Sequence, residues 1–191
     1  FLPVFVYTKM FKKFDDTQIS GITQLKTSVQ KGIRNKIVEE YPLIEDFIDE
    51  IIPKKESLRI AKCQQHIEVL VASNGDHLFF RQRDGPYFPT LRLIHKYPFI
   101  CPLMQVDSGA IQFVLGGANV MSPGLTSKGA LMTPGLKAGS VVTVVAEGKE
   151  HALAIGILKL SSDDILRVNR GHAIENVHFL NDGLWRLKQI K

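Results

Sequence analysis

Val106-Asp107-Ser108-Gly109-Ala110-Ile111-Gln112-Phe113-Val114-Leu115-Gly116-Gly117-Ala118-Asn119-Val120-Met121-Ser122-Pro123-Gly124 is the stretch on which the reading of this chain turns. Asp107 or Ser108 can cap a helix, because a short side-chain oxygen accepts from an amide that the first turn leaves unpaired. Ala110, Ile111, Val114 and Leu115 recur on one helical face, and Gly116-Gly117 supplies the stop. A short helix closed by a glycine turn is therefore predicted. Asn119-Val120-Met121 then reads as a brief buried strand, ended by the turn pair Pro123-Gly124.

Working outward, Leu103-Met104-Gln105-Val106 is a strand leading into this stretch. Residues 125–137 are rich in Gly, Ser, Thr and Pro and predict a loop with one turn of helix. Val141-Val142-Thr143-Val144-Val145-Ala146 has few polar side chains, which suits a strand buried on both faces. Residues 151–160 form another strand, with Gly156 inside it where a bend or a close backbone approach would require it. Ser161-Ser162-Asp163-Asp164 caps a helix over residues 165–170, with its acids at the positive end and Arg167 and Arg170 at the negative end. A last strand at residues 173–180 precedes the turn Asn181-Asp182-Gly183 and the only tryptophan, Trp185. The order strand, helix, three strands, helix, strand predicts a small closed or nearly closed barrel with two helices.

Upstream, Leu25, Val29, Ile33 and Ile37 step by four and predict an amphipathic helix over residues 23–41, ended by Pro42. Lys26, Lys31, Arg34 and Lys36 lie off that stripe, as a solvated face or a basic ridge. Residues 43–52 predict a second helix that buries Leu43, Ile44, Phe47, Ile48 and Ile51. Residues 58–63, 67–71 and 77–81 read as antiparallel strands, with Asn74-Gly75 as a hairpin turn. Pro89 suits the first turn of a helix over residues 90–97. The prolines at 98 and 102 mark a boundary. The fold class is α+β: an N-terminal α/β domain with a small antiparallel sheet at residues 10–98, then a mostly β pseudo-barrel at residues 99–191. Residues 1–9 have no assignment, and Met10-Phe11-Lys12-Lys13 reads as the more natural start.

With 191 residues, 45% hydrophobic and 23% charged, the chain can bury one large core or two small ones. No apolar run approaches the roughly 20 residues that cross a bilayer. Two cysteines do not make a disulfide framework and suit a reducing setting. The net charge of +5 permits binding to a polyanion. Both halves are mildly basic, residues 1–102 holding 15 Lys/Arg against 12 Asp/Glu. The phosphate loop GxxxxGK[ST], GxGxxG after a strand, the GxSxG elbow and HExxH are all missing, which removes the commonest nucleotide-dependent and hydrolytic mechanisms. Cys63 and His66 have metal-ligand spacing, but a structural zinc needs about four ligands and the second pair is lacking. No metal, no cofactor and no catalysis are expected.

The segment from Asp107 to Gly124 resembles a PUA domain, the small barrel named for pseudouridine synthases and archaeosine transglycosylases. The likeness extends further. Met10-Phe11-Lys12-Lys13-Phe14, Phe79-Phe80-Arg81-Gln82-Arg83-Asp84-Gly85-Pro86, Pro89-Thr90-Leu91-Arg92-Leu93-Ile94-His95-Lys96-Tyr97-Pro98, Ala146-Glu147-Gly148-Lys149-Glu150-His151-Ala152 and Asn181-Asp182-Gly183-Leu184-Trp185 together resemble the malignant T-cell-amplified sequence family. This likeness covers Met10 to Lys191, with residues 1–9 outside it and a variable loop at residues 128–137.

The resemblance implies a cytoplasmic, non-catalytic translation factor on the small ribosomal subunit and its rRNA. In that family a heterodimer with density-regulated protein promotes tRNA release in recycling and supports initiation and reinitiation. The family's RNA groove would fall here on Gly116, Gly117, Ala118, Asn119 and residues 172–178, including His172. Glycine admits close approach because it has no Cβ. Asp107 makes the helix start a poor phosphate site, so the turn is expected to meet a base edge or a 2′-hydroxyl, with phosphates held among Lys128, Lys149, Arg167 and Arg170. Lys31 and Arg34 are the expected ribosome- or partner-facing residues. Tyr87 and Phe88 read either as base-stacking rings or as packing under the sheet. The competing readings are a guiding subunit or domain of a tRNA-modifying enzyme and a pure protein-interaction module.

Overall fold

The computed structural model describes Tyr7 and residues 9–191. Apart from Tyr7 and Lys9, the apolar run at residues 1–7 and the unassigned segment 1–9 lie outside the described residues. The chain forms two units: Asp15–Ile100 with Leu187–Lys191, and Cys101–Arg186 with the described residues up to Phe14. The sequence reading left residues 1–9 unassigned and placed residues 10–14 with the N-terminal domain and 187–191 with the C-terminal one, whereas contacts group these two short segments the other way. The reason lies in backbone pairing. Gly183 N donates to Phe11 O at 2.7 Å, and Ile190 N donates to Gly75 O at 2.9 Å.

The N-terminal unit is an antiparallel meander of β1 (Ile19–Gln24), β2 (Arg59–Cys63), β3 (Ile67–Val71), β4 (His77–Gln82) and β5 (Phe88–Pro89), in that spatial order. Its helices are α1 (Thr27–Glu40), α2 (Ile48–Ile51), which continues a 3-10 turn at Pro42–Phe47, and α3 (Leu91–Lys96). The helix expected from residue 23 starts at Thr27, because Thr23 and Gln24 pair with Ile60 and Arg59 in β2. The residues of α1 that are buried are Gln30, Arg34 and Ile37, while Val29 is 46% exposed. Gln30 belongs inside because its amide donates to Pro53 O and Glu56 O and accepts from Leu58 N, pairing backbone groups that burial would otherwise orphan.

Two further expectations fail here for local reasons. Leu43 and Phe47 stay exposed while Ile44, Ile48 and Ile51 are buried, since a 3-10 turn advances by three residues rather than 3.6 and rotates the apolar stripe. Pro89 pairs with Phe79 in the sheet, and Thr90 caps α3 by accepting from Leu93 N at 3.3 Å.

The C-terminal unit contains β6 (Leu103–Val106), α4 (Ile111–Leu115) entered through a 3-10 turn at Ser108–Ala110, β7 (Val120–Met121), α5 (Pro123–Thr126), β8 (Leu131–Met132), β9 (Val141–Ala146), β10 (Ala154–Leu158), α6 (Ser162–Val168), β11 (His172–Phe179) and α7 (Gly183–Arg186). Its strands run in the order β7-β11-β10-β9-β6-β8, with β6 and β9 parallel. The sheet curls as a half-barrel over Met104, Val114, Val144, Ile165 and Phe179. Four helical pieces stand where two helices and one turn within residues 125–137 were expected: the turn is α5, which Pro123 opens at its first position instead of merely ending β7, and α7 follows the Asn181 turn. Gly156 is the close approach its position predicted. A Cβ there would lie 2.3 Å from Ile174 Cγ2 and 2.7 Å from Glu175 O.

Candidate nucleic-acid interface

The glycine turn after α4 closes with paired bonds, Gly117 N to Val114 O at 3.0 Å and Ala118 N to Phe113 O at 2.9 Å. This is the Schellman pattern, which requires a left-handed residue, and Gly117 supplies it at φ +81°. The missing Cβ of Gly117 is used by the protein itself, for a Cβ would sit 2.8 Å from the Phe179 ring. Gly117 is buried, so its lack of a side chain makes room for Phe179 and leaves no gap for a ligand. Gly116 and Ala118 are exposed on either side of it.

Asn119 is also committed to the fold. Its Oδ1 accepts from Asn176 N at 2.9 Å, and Asn176 Nδ2 donates to Val114 O and Ala118 O, each at 3.1 Å. Two asparagines thus latch the turn onto β11. Asn176 falls within residues 172–178, expected to line the RNA groove, but residues 173–178 are buried and Asn176 serves the fold as this latch. At the other end of α4, Asp107 Oδ1 accepts from Ala110 N at 3.0 Å, and Asp107 Oδ2 accepts from the Ser127 hydroxyl. The helix start is therefore filled by the protein's own carboxylate, as expected.

The predicted cations fall into two groups. Arg167 near the end of α6, Arg170 in the α6–β11 connection and His172 at the start of β11 are all exposed. Arg167 donates to Asp164 at 2.6 Å while its side chain stays 75% exposed. The connection turns through Asn169 (φ 46°) and Gly171 (φ 82°). Ser122 then holds it, with Oγ donating to Arg170 O at 3.2 Å and N to Gly171 O at 2.9 Å. His172 stands opposite Met121, which is 44% exposed. Lys128 and Lys149 form the second group, Lys128 adjoining Gly129, which packs on Glu147, and Lys149 closing the turn after β9. From His172 to Asn176 the strand covers about 13 Å, so the Arg170 group and the glycine turn lie at opposite ends of β11, along the side on which β7 pairs with it. Phe113, 60% exposed beside the turn, was not singled out from sequence.

In the N-terminal unit, Lys31 and Arg34 both line a groove of about 760 Å³ between α1 and the Pro42–Ile51 segment. They differ in what they can reach. Lys31 is exposed, whereas Arg34 is 8% exposed, donates to Ile48 O at 3.2 Å and pairs with Asp49. Asp49 is held below the usual carboxylate range by Lys54 first and Arg34 second. Arg34 is thus a structural cation, and its expected outward role is corrected. Tyr87 and Phe88 are buried, with Arg81 lying 5.0 Å over the Tyr87 ring. Phe88 lies in β5 and stacks on Phe80 with ring centroids 5.4 Å apart, so both rings serve packing. Burial pushes the Cys63 thiol up to about 11, which keeps it protonated and a poor metal ligand. Among the described residues no cluster of three or more His, Cys, Asp or Glu could hold a metal, and no helix is long and apolar enough to cross a membrane.

Comparison with known proteins places names on this geometry. Residues 12–98 match the Pre-PUA-like domain and residues 102–180 the PUA domain. The chain is 61% identical to the malignant T-cell-amplified sequence 1 homolog of Drosophila melanogaster, over 95% of this chain and 100% of that protein. It is 56% identical to malignant T-cell-amplified sequence 2 of Homo sapiens over the same shares. Translation machinery-associated protein 20 of Eremothecium gossypii is 48% identical, again over 95% and 100%. Among solved structures, a hypothetical protein from Pyrococcus horikoshii aligns at TM-score 0.72 and 26% identity, over 88% of this chain and 99% of that one.

Proposed function

Because the chain belongs to the malignant T-cell-amplified sequence family, we propose that it is an RNA-binding translation factor of the small ribosomal subunit. The observation that carries this reading is the surface along the β7–β11 pair. It presents exposed Gly116 and Ala118 at one end and exposed Arg167, Arg170 and His172 at the other, within a PUA domain. The amides of Gly116, Gly117 and Ala118 are bonded within the turn, so what the corner offers to a base edge or a 2′-hydroxyl is the carbonyls of Gly116 and Gly117. The cations at the far end hold phosphates without reading sequence. Lys128 and Lys149 extend the basic surface.

In this reading the protein acts without a cofactor and without catalysis, in the cytoplasm, as a heterodimer with density-regulated protein. Together they act on tRNA at the small subunit, promoting release in recycling and supporting initiation and reinitiation. Translation machinery-associated protein 20 supports the assignment by its name. Lys31, exposed at the groove of the N-terminal unit, is the cation there that faces rRNA or the partner.

Co-sedimentation with purified small subunits, with and without density-regulated protein, tests the reading, together with tRNA release from those subunits. Wild type should bind and accelerate release, and Arg170→Glu with Lys149→Glu should lose both. Binding and release unchanged in that double variant would overturn the assignment of the edge. A change in tRNA base composition on incubation would instead favour an RNA-modifying role.

A further inference from the structure

Phe47, Tyr97 and Phe99 form an aromatic surface on the N-terminal unit that RNA binding leaves unused. The ring centroids of Phe47 and Phe99 are 4.8 Å apart, those of Phe47 and Tyr97 6.0 Å, and those of Tyr97 and Phe99 6.2 Å. Phe47 is 38% and Phe99 36% exposed, and Leu43 on the same 3-10 turn is 68% exposed. A lone exposed apolar side chain is ordinary, but clustered aromatic rings at a surface mark the anchors of protein interfaces. Tyr97 is held in place by its hydroxyl, which donates to Glu50. A fixed ring is a rigid anchor, which lowers the ordering cost of binding.

The charge around the rings selects the occupant. The 3-10 turn and α2 carry Glu45, Asp46, Asp49 and Glu50 and no Lys, Arg or His, in a chain whose net charge is +5, and Lys96, the cation that precedes Tyr97, is turned to Asp76 at 3.9 Å. Asp49 is engaged by Arg34 and Lys54, and Glu50 by Tyr97, which leaves Glu45 and Asp46 as the outward carboxylates beside Phe47. Nucleic acid is disfavoured, since its phosphates would meet these carboxylates. We propose that this surface docks a lysine- or arginine-rich protein segment that sets one large apolar side chain against Phe47 and Phe99 while its cations face Glu45 and Asp46. The proposal stands apart from the RNA-binding edge of the C-terminal unit and does not depend on it.

The test is a titration of the full ¹⁵N-labelled chain, read by amide chemical shifts. The probes are a synthetic lysine-rich peptide with one central phenylalanine, its phenylalanine-to-serine analogue, and single-stranded oligouridylate. The phenylalanine peptide should shift residues 43–50 and 97–99. Affinity should fall about tenfold for the serine analogue, for Phe47→Ser and for Asp46→Lys. Asp46→Lys alters an exposed carboxylate and leaves the ring trio intact, so it decides the matter even where Phe47→Ser unfolds. Shifts confined to other residues, no binding, or unchanged affinity in Asp46→Lys would overturn the proposal. Stronger shifts of residues 43–50 with oligouridylate than with the peptide would overturn it in favour of a nucleic-acid face.

Discussion

α1 and the α6–β11 connection are both short basic segments, and the fold uses their charges in opposite directions. On α1, Arg34 turns inward to Ile48 O and Asp49, and Glu40 turns inward to accept from Tyr87 N at 2.9 Å. On α6, Arg167 and Asp164 pair with each other at the surface, and Arg170 projects from a turn fastened through its backbone to Ser122. Charge in a sequence therefore does not report its direction. What decides is which acceptors the surrounding fold sets within reach of the side chain. Arg34 meets Ile48 O, which also accepts from Ile52 N at 2.9 Å, and Asp49, both in α2, whereas Arg167 meets Asp164 on its own helix at the surface.

The glycine turn sets the same contrast within three residues and should give the largest effect. Gly117→Val forces a β-branched side chain into a left-handed backbone and against Phe179, and should cost about 3 kcal/mol or more of stability. Gly116→Ala, at φ −80° with no Cβ contact nearer than 3.4 Å, should change stability by less than about 0.5 kcal/mol yet weaken RNA binding. Urea unfolding and RNA titration on the same two variants separate the roles. Equal stability of the two would break the distinction.

Arg34 and Lys31 extend the contrast to α1. Arg34→Ala should destabilise by about 2 kcal/mol through its lost charge-assisted bonds, since Asp49 remains 62% exposed and is not left as a buried charge. Lys31→Ala should leave unfolding unchanged and reduce only co-sedimentation with small subunits. The opposite pattern would return Arg34 to the surface role. A smaller effect is expected at Arg170→Ala, which should flatten the salt dependence of RNA binding by about one unit with folding intact. An unchanged slope would remove Arg170 as a phosphate contact.

The parts of the fold legible in the sequence were those carried by strong local signals: the strands flanking Asn74-Gly75, the Asp107 cap, and Gly156 in its strand. β1 was not legible, because Ser20, Gly21, Thr23 and Gln24 are exposed and carry no alternation, and only pairing with β2 makes them a strand. α1 was placed but its buried face was not, because Gln30 and Arg34 go inside to meet backbone groups from residues far along the chain. The candidate edge was located by Gly116-Gly117 and the arginines after α6. Its internal division, with Gly117 and Asn119 serving the fold and Gly116 and Ala118 facing out, depends on Phe179 and Asn176, which lie some sixty positions away.

The smallest effect, a pair of opposite pH slopes, is the sharpest check on inward against outward charge. Burial raises Glu40 above its ordinary value, outweighing its bond from Tyr87 N and the attraction of Lys36. Between the unfolded and folded values the native state binds more protons than the unfolded chain, so stability falls as pH rises through that window. Glu40→Gln keeps an acceptor for Tyr87 N and removes the titration, so the variant should gain on wild type as pH rises from about 4 toward neutrality. Asp164 runs the other way. Arg167, and then Ser161, hold it below its ordinary value, so its contribution is present above the unfolded value and is lost as pH falls through the folded one. Asp164→Asn should therefore match wild type in acid and fall behind it near neutrality. Urea midpoints of both variants across that range measure the two slopes. Slopes of the same sign would mean that α1 and α6 do not divide their charges between the interior and the surface.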